Sequence, residues 1–459
     1  METVLLYILG VLIVVVGLAL SIGLHEIGHL LPAKLFGVKV TQYMIGFGPT
    51  LWSRRKGETE YGVKAIPLGG YIAMIGMFPP AKKGGKVQAS STGFFNQLVQ
   101  EGAPEKKPSA MATMVDDARQ SSADTIGEGE DHRAFYRLPV AKRVIIMLGG
   151  PTMNLLIAVV LFAVLLMGFG TAEASTTVGS VSECVLPATS TRQTCEPTDE
   201  KAPGAAAGLK PGDRLVSVNG TPIDSWDQST EIIRESPGIP LAVVVERGDS
   251  QQTLSITPKL TERYVMEADG QIEEDAAGEP LTQEVGFVGI GPAGELVPQP
   301  ATAVLPAVGE NINAVVHMIA NLPQRMIDIA NAAFGPGERD PNGPISVVGV
   351  GRVAGEIASI DAIPVNSKVA SMLGLLASLN VALFVFNLVP LMPLDGGHVA
   401  GALWEGLRRR IAKLFKRPDP GPVDTAKLMP LTFAVVVVLG GMSLLLIYAD
   451  IVKPIDIFG

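Results

Sequence analysis

The residues best suited to chemistry in this sequence end its first long apolar stretch, in His25-Glu26-Ile27-Gly28-His29. On an α-helix, residues four apart are separated by about 40° around the axis, so both imidazoles face the same way. Two imidazoles at this spacing can bind one zinc ion, and the intervening carboxylate can take a proton from water that the metal activates. We therefore predict a hydrolytic zinc site with His25 and His29 as ligands and Glu26 as general base.

A third ligand must come from elsewhere, because a hydrolytic zinc usually has three protein ligands and one water. Asp395 is the best candidate, since it follows a long uncharged stretch within Asn387-Leu-Val-Pro-Leu-Met-Pro-Leu-Asp-Gly-Gly-His398. The prolines and glycines of this segment predict a broken helix, which membranes tolerate where it lines a cavity. His398 lies three residues past the aspartate, and we assign it either to a helix end or to support of the ligands.

The elements that carry these residues are predicted to be membrane spans. Apolar residues make up 47% of the 459 residues and charged residues only 18%, with a mean hydropathy of +0.34. This composition excludes disorder throughout, a collagen-like chain and a disulfide scaffold, and the net charge of −9 argues against a nucleic-acid partner. Four stretches are uncharged over about the 20 residues needed to cross a bilayer. They are Thr3–Leu24, Val144–Ala172, Val369–Leu394 and Leu428–Ala449.

Lysine and arginine near the spans predict the orientation of the chain. With four spans, three basic clusters fall on one side, and the loop that opens with Glu173 and Glu183 falls on the other. We therefore place both termini and the long 173–368 region outside the cytoplasm. Positive-inside anchoring also explains the cluster Arg408–Arg410 without a nucleic acid.

A soluble β-rich domain is predicted in the outer region. Strands are expected at Leu215–Val218, Leu241–Glu246 and Gln252–Thr257, and a short helix at Ser229–Ser236. With the small-residue helix Ala205–Gly208, this pattern resembles a PDZ domain of the bacterial membrane-protease type. PDZ domains bind extended peptides by adding a strand to a sheet edge.

Three other segments have a less distinct pattern. Residues 79–131 have no sustained period, and we interpret them as a flexible cytoplasmic insertion whose short apolar piece is Phe94–Val99. Ala301–Ala333 has helical apolar spacing, which predicts amphipathic helices on the outer membrane surface. Cys184 and Cys195 lie outside the cytoplasm in this topology, where such a pair can form a disulfide.

Taken together, these motifs resemble the site-2 protease family of intramembrane zinc metalloproteases, in its bacterial branch with a PDZ domain. The amino-acid sequence is most similar to that of actinobacterial members. Many relatives have two PDZ modules, whereas one is visible here, which leaves the gating arrangement open. The matching segments are the two motifs above, Gly149-Gly-Pro-Thr-Met-Asn154 in the second span, Gly46–Trp52 and Ile66–Tyr71.

The resemblance implies a role for each matching residue. His25, His29 and Asp395 would bind one zinc ion, and Glu26 would act as the base and then pass the proton to the leaving amine. Asn387 would hold the substrate backbone or help to polarise the scissile carbonyl, and Asn154 would line the site.

The segment Thr59–Ile72 alternates moderately and predicts a hairpin that dips into the membrane. An unwound transmembrane substrate exposes backbone groups, each at a cost of several kcal/mol in lipid. We expect the hairpin to satisfy them by pairing with the substrate as an added strand. An ordinary cytoplasmic hairpin is the alternative. The expected contact residues are Val63, Ala65, Pro67, Gly69 and Gly70.

The predicted fold is therefore a multi-pass α-helical membrane protein with four transmembrane helices and one extracytoplasmic PDZ domain. The predicted regions are 1–36 (first span), 37–78 (β-hairpin), 79–131 (insertion), 132–172 (second span), 173–262 (PDZ), 263–368 (extension with amphipathic helices), 369–398 (third span), 399–427 (basic loop) and 428–459 (fourth span and C-terminus).

The resemblance also implies a function in the bacterial cytoplasmic membrane. The expected substrates are single-pass membrane proteins, such as anti-sigma factors, that an upstream site-1-type protease has already trimmed. The PDZ domain would exclude substrates with a bulky outer domain. The alternatives are a zinc transporter and a non-catalytic PDZ scaffold with a structural zinc ion.

Overall fold

We describe a computed structural model of the chain over residues 2–79, 110–186, 194–265, 273, 280–337, 339–340, 343–360 and 363–455. The chain forms two compact units, one made of Met1–Gly168 with Pro300–Gly459 and the other of Phe169–Gln299. We call them the membrane unit and the β unit.

The helices, in chain order, are α1 (Glu2–Leu35), α2 (Ala110–Asp124), α3 (Val140–Ala163), α4 (Pro203–Ala206), α5 (Trp226–Arg234), α6 (Val304–Ala320), α7 (Leu322–Phe334), α8 (Val347–Ser359), α9 (Val365–Leu388), α10 (Asp395–Leu414) and α11 (Met429–Val452). The strands are β1 (Val40–Lys56), β2 (Thr59–Met74), β3 (Thr171–Val181), β4 (Arg214–Val218), β5 (Thr221–Pro222), β6 (Leu241–Arg247), β7 (Ser250–Ile256), β8 (Lys259–Tyr264), β9 (Thr282–Phe287) and β10 (Ile290–Val297).

The described chain contains five helical stretches that are long and apolar enough to cross a membrane. Four of them overlap the four predicted spans, although the second ends at Phe169 rather than Ala172 and the third-span helix ends at Leu388 rather than Leu394. The fifth, Ala301–Ala320, includes α6, which the sequence analysis placed on the membrane surface. Its mean hydropathy of 1.3 is well below the 2.2 to 2.9 of the other four, which is why its pattern resembles that of an amphipathic helix. The protein is a multi-pass helical membrane protein.

Helix α1 packs against α3 near Gly28 and against α8 near Gly10, so a glycine lies at each crossing. A Cβ atom added to Gly28 would lie 2.2 Å from the carbonyl oxygen of Gly149, and one added to Gly10 would lie 2.3 Å from that of Ala354. Because the backbones meet directly, neither crossing has room for a side chain. Helix α3 also packs against α9 and α10.

Strands β1 and β2 form the predicted hairpin, but each bends back on itself to give four paired segments. Tyr61 pairs with both Arg54 and Tyr43, and Tyr43 pairs with both Tyr61 and Ile72. The order across this layer is 50–56, 59–66, 40–47 and 70–74. Positive φ angles at Gly46 and Gly69, 92° and 127°, allow the bends.

This bending corrects one prediction about the hairpin. Val63 pairs with Ile45 on one side and Trp52 on the other, so its segment is internal rather than at an edge. The edge after the bend is formed by residues 70–74. The alternation of the sequence could not reveal this, because it reports the face of a residue and not the number of its neighbouring strands.

Part of the 79–131 insertion is ordered, contrary to the sequence interpretation. Helix α2 contacts α11, and its Ser122 accepts a hydrogen bond of 2.9 Å from the backbone N–H of Phe78. Thr125 accepts one of 3.1 Å from Gly76. Hydrogen bonds with residues distant in the sequence hold this helix in place. It therefore does not need a periodic apolar face, and its sequence shows none. The piece Phe94–Val99 lies outside the described residues.

The β unit contains the predicted strands and short helix. Its main sheet has the order β10-β3-β4-β6-β7, with β5 paired to β4, and β8 and β9 form a separate hairpin. Val178, Leu215, Leu241 and Val245 belong to its buried core. The unit continues to Gln299, beyond the predicted boundary at 262, because β10 returns to pair with β3.

The two cysteines of the β unit, Cys184 and Cys195, are joined by a disulfide, as the sequence analysis allowed. Cys184 also forms an isolated β-bridge with Lys201.

Candidate active site

Three predicted ligands meet in the membrane unit. Nε2 of His25 and Nε2 of His29 lie 3.1 Å apart on α1. The Asp395 carboxylate, at the first residue of α10, places its Oδ2 atom 3.3 Å from the first of these nitrogens and 3.2 Å from the second. Both histidines are buried.

These three atoms fit a zinc ion. Tetrahedral zinc with ligands at about 2.0–2.1 Å has ligand atoms about 3.3 Å apart, close to the separations seen here. Oδ2 of Asp395 is buried and accepts no hydrogen bond from any described residue. Two imidazoles and a carboxylate are also the donor set of hydrolytic zinc sites. Among the described residues the cluster has three ligands, which leaves the fourth position open.

Each imidazole has a second contact at Nδ1. Nδ1 of His29 lies 2.7 Å from the carbonyl oxygen of Ile146, to which it donates its proton, so Nε2 keeps its lone pair for a metal. Nδ1 of His25 lies 3.1 Å from the side-chain amide of Asn154. That amide is fully buried, and its Oδ1 atom has no partner among the described residues.

The structure explains why residue 150, in the second-span motif, is a glycine. A Cβ atom added there would lie 2.2 Å from Nε2 of His29 and 2.6 Å from Nε2 of His25. Since the ligand nitrogens occupy this space, only glycine fits at residue 150. The close approach of α3 therefore brings both Gly150 and Asn154 to the histidines.

Glu26 is buried beside the edge segment 70–74. The backbone N–H of Ile72 points to its carboxylate, and a Cβ atom on Gly70 would lie 3.1 Å from Cγ of Glu26. The general base predicted from the sequence therefore lies directly beside a sheet edge.

Metal ligands, base and sheet edge share one cavity of about 320 Å³. Asn387 lines it, and its Nδ2 donates a 3.0 Å hydrogen bond to the carbonyl of Leu383, whereas Asn154, which was expected to line the site, is not part of the lining. His398 lines it too. The full lining is His25, Glu26, His29, Gly70, Tyr71, Ile72, Met74, Met77, Met147, Asn387, Pro393, Asp395 and His398.

The predicted contact residues of the hairpin divide into two groups. Gly70 lines the cavity, whereas Val63, Ala65 and Gly69 do not; Gly69 lies against the ring of Phe47. The side chain of Pro67 lies outside the described part of the chain. The sequence analysis missed Tyr71, Ile72 and three methionines of the lining. The only sequence feature that points to any of these five residues is the Gly-Gly pair, which Tyr71 and Ile72 directly follow.

The third-span motif breaks where its prolines lie. Helix α9 ends at Leu388 and α10 begins at Asp395, so the helix is broken as predicted, and the aspartate starts a new one. The two glycines do not break a helix, since both lie in the first turn of α10. A Cβ atom on Gly396 would lie 2.4 Å from the carbonyl oxygen of Leu388, so these glycines let α10 approach the end of α9.

A helical membrane core with two histidines, a glutamate and an aspartate around one metal-binding position defines a membrane metalloprotease. The chain belongs to peptidase family M50, the site-2 protease family, whose model matches residues 13–417. It is a zinc metalloprotease of that family, and the resemblance found in the sequence is confirmed.

Its relatives support the same assignment. The chain is similar to the zinc metalloprotease Rip1 of Mycobacterium tuberculosis, with 32% identity over 463 residues, 99% of this chain and 100% of the relative. Rip1 of Mycolicibacterium smegmatis is also 32% identical, over 98% of this chain and 99% of the relative. The metalloprotease MmpA of Caulobacter vibrioides is 27% identical, over 88% of this chain and 89% of the relative.

Proposed function

We propose that this protease hydrolyses peptide bonds within the transmembrane segments of single-pass proteins in the bacterial cytoplasmic membrane. One observation carries the proposal: the metal ligands and Glu26 share a cavity with the sheet edge 70–74. Peptide bonds inside a helix are protected by their own hydrogen bonds, so a substrate must unwind before hydrolysis. A sheet edge offers an unwound segment the hydrogen bonds that lipid lacks.

The residues of the cavity have complementary roles in this reaction. His25, His29 and Asp395 would hold a zinc ion, which when bound would lower the pKa of a water molecule to about 7 and polarise the scissile carbonyl. Glu26 accepts the proton from that water and returns it to the nitrogen of the leaving amine as the C–N bond breaks. Asn387, on the cavity wall, holds the substrate backbone or helps to polarise its carbonyl.

The open fourth position favours proteolysis over a scaffold role. Structural zinc sites are normally closed by four protein ligands. Among the described residues this cluster has three. A scaffold would also have no need of a buried glutamate between its two histidines.

The expected substrates are proteins such as anti-sigma factors that a site-1-type protease has first trimmed outside the membrane. The β unit would then restrict access to substrates whose outer part is already small. With the four spans expected from the sequence, the positive-inside pattern would place the β unit outside, and this expectation supports the role.

The first test compares the wild type with Glu26→Gln and His29→Ala. Each is purified in detergent, its zinc content measured, and its cleavage of a trimmed single-span substrate followed. We expect about one zinc per chain in the wild type and in Glu26→Gln, with cleavage at least about 100-fold slower in Glu26→Gln because the base is lost. His29→Ala should lose both zinc and cleavage. Equal cleavage by the wild type and Glu26→Gln would contradict the assigned base.

A second comparison tests the substrate class. The wild type is given the trimmed substrate and the same substrate with its outer domain attached. We expect only the trimmed form to be cut, within its membrane segment. Cleavage outside the membrane segment would contradict intramembrane proteolysis.

A further inference from the structure

Helix α10, which begins with the ligand Asp395, has two distinct sides. One side packs against α3 and contains Ala402, Glu405 and Ala412, all buried. Glu405 is only 1% exposed and accepts a 2.5 Å hydrogen bond from Arg143 at the start of α3. This side accounts for how α10 is held to the membrane unit.

The opposite side of α10 is apolar and exposed. Trp404 is 55% exposed and Leu414 is 77% exposed, although large apolar side chains favour burial. At 100° per residue, the exposed apolar positions of the helix and its C-cap residue fall within about 120° of its circumference. We call this set the apolar stripe, and it consists of Leu403, Trp404, Leu407, Ile411, Leu414 and Phe415.

Basic residues border the apolar stripe. On the same helical projection, Arg410 falls next to one border and Arg408 next to the other. Lys413, Lys416 and Arg417 follow at the end of the helix. Within the described chain none of these five cations forms an ion pair, whereas Arg409, on the buried side, pairs with Glu405 and Asp419.

The charges prevent α10 from crossing a membrane, and the apolar stripe is not covered by the rest of the membrane unit. A helix with one apolar face and cations along its borders is suited to lie in the membrane interface. Anionic headgroups then attract the cations while the apolar side chains enter the acyl region. A protein partner could cover the stripe, but the unpaired cations at its borders and at the end of α10 favour an anionic lipid surface.

We propose that the apolar stripe inserts into the cytoplasmic leaflet and that the bordering cations bind the phosphates of anionic phospholipid headgroups. The orientation follows from the positive-inside pattern of the sequence. Because Asp395 is the first residue of α10, the lipid surface then stabilises the helix that supplies one metal ligand. Anionic lipid therefore stabilises the metal site from outside the protein, whether or not a substrate is bound.

The test uses the full-length zinc-loaded protein in lipid nanodiscs, either of phosphatidylcholine alone or with about one third phosphatidylglycerol. Hydrogen exchange of the α10 amides is the readout, which does not depend on proteolysis. We expect exchange at residues 403–414 to be about tenfold slower in the anionic discs, because several cations gain attraction to the surface. The slowing should weaken at high salt.

Two sets of substitutions separate this effect from a general charge effect. Arg408→Gln with Arg410→Gln and Lys413→Gln should abolish the dependence on anionic lipid. The control, Arg54→Gln with Arg55→Gln and Lys56→Gln, removes three exposed cations at the end of β1 and should keep it. Trp404→Ser with Leu407→Ser should speed exchange in both kinds of disc, since the stripe then has two fewer apolar side chains to insert into the membrane.

Three results would overturn the proposal. The first is equal α10 exchange in neutral and anionic discs. The second is full lipid dependence in the variant that lacks the α10 charges. The third is slowing by free inorganic phosphate in neutral discs, since the cations would then bind any phosphate rather than a lipid surface.

Discussion

The two ligand histidines are held at Nδ1 by partners of different kinds. His29 donates to a backbone carbonyl, Ile146, which no substitution can remove. His25 meets the side chain of Asn154, which a substitution can remove. A His25 that binds metal through Nε2 has a proton on Nδ1 and needs an acceptor there. Turning the amide by 180° would supply its unpartnered Oδ1 as that acceptor.

This difference predicts the effect of Asn154→Leu. The variant keeps the size of the side chain but leaves His25 without an acceptor, so we expect zinc affinity to fall about 10- to 100-fold. Asn154→Asp, which keeps an acceptor oxygen, should recover most of the affinity. The measurement is competition for zinc with a chelator of known affinity.

The matched control is Asn380→Leu, which changes another buried asparagine of the membrane unit. Asn380 donates to Ser21, 2.9 Å away, and does not touch the ligand histidines. This variant should keep its zinc affinity. Equal losses in Asn154→Leu and Asn380→Leu would mean that the first acts through general packing.

At the residue scale the sequence predicted the chemistry but not its support. The proposed ligands and base are polar residues within or close to uncharged stretches, and this contrast, with the spacing of the two histidines, distinguishes them. Ile146 belongs to an apolar span and has no distinguishing type, and the motif that contains Gly150 does not reveal which residues that glycine contacts. Their roles depend on where α3 crosses α1, which only the folded chain determines.

Among the elements, the bent β1–β2 layer decides where a substrate strand can pair. An internal segment has its N–H and C=O groups satisfied on both sides, whereas an edge segment has one free side. Residues 70–74 form the edge beside Glu26, and the segment that contains Val63 is internal.

Single-cysteine cross-linking tests this assignment. Both native cysteines are in the disulfide, so Ala73→Cys or Val63→Cys adds the only free thiol. In a Glu26→Gln background, a substrate with one cysteine near its scissile bond should cross-link to residue 73 several times more efficiently than to residue 63. Stronger cross-linking at residue 63 would contradict pairing at the 70–74 edge.

A second element, the turn before β4, makes the stability of the β unit depend on pH. The Arg247 guanidinium donates hydrogen bonds of 2.6 and 2.7 Å to the buried Asp213 carboxylate. These hydrogen bonds hold the pKa of Asp213 below its ordinary value. A lowered folded pKa means that the stabilisation is complete above about pH 4 and is lost as the pH falls through the folded value.

We therefore expect the β unit to unfold more readily below about pH 4, because protonation removes the charge on Asp213. Arg247→Met should flatten this dependence and destabilise the unit by about 3 kcal/mol at pH 7, since a buried carboxylate is left unpaired. Hydrogen exchange of the β6 amides in the full-length protein, corrected for intrinsic rates, measures both effects. An unchanged pH dependence in Arg247→Met would assign it to another group.

At this scale the sequence predicted elements better than their partners. The strands and short helix of the β unit have clear alternation and turn residues, and all were found. The return of β10 to β3 was missed because glycines interrupt the apolar pattern of β9 and β10. Helix α2 was missed because polar contacts with Gly76 and Phe78, far away in sequence, hold it in place.

In the whole molecule, the metal ligands connect α1, near the start of the chain, to α10, near its end. A metal that binds the folded chain and not the unfolded one stabilises it, by about 4 kcal/mol when free zinc is a thousand times its Kd. Zinc is therefore expected to link α1 and α10 and so to stabilise the folded chain.

Removal of zinc should accordingly lower the thermal unfolding midpoint of the purified protein. The wild type with a strong chelator should unfold several degrees below the zinc-loaded wild type, and Glu26→Gln should respond in the same way. His29→Ala should show no response. A chelator effect of the same size in His29→Ala would place the stabilising metal elsewhere.

The separation of the ligands along the chain also has a consequence during synthesis. His25 and His29 enter the membrane with the first helix, but Asp395 is made about 20 to 70 s later at 5–20 residues per second. Until then the nascent chain has two ligands and an unfinished cavity. A ribosome-bound protease of this design therefore stays inactive among newly inserted membrane proteins, and its activity begins only after Asp395 has been made.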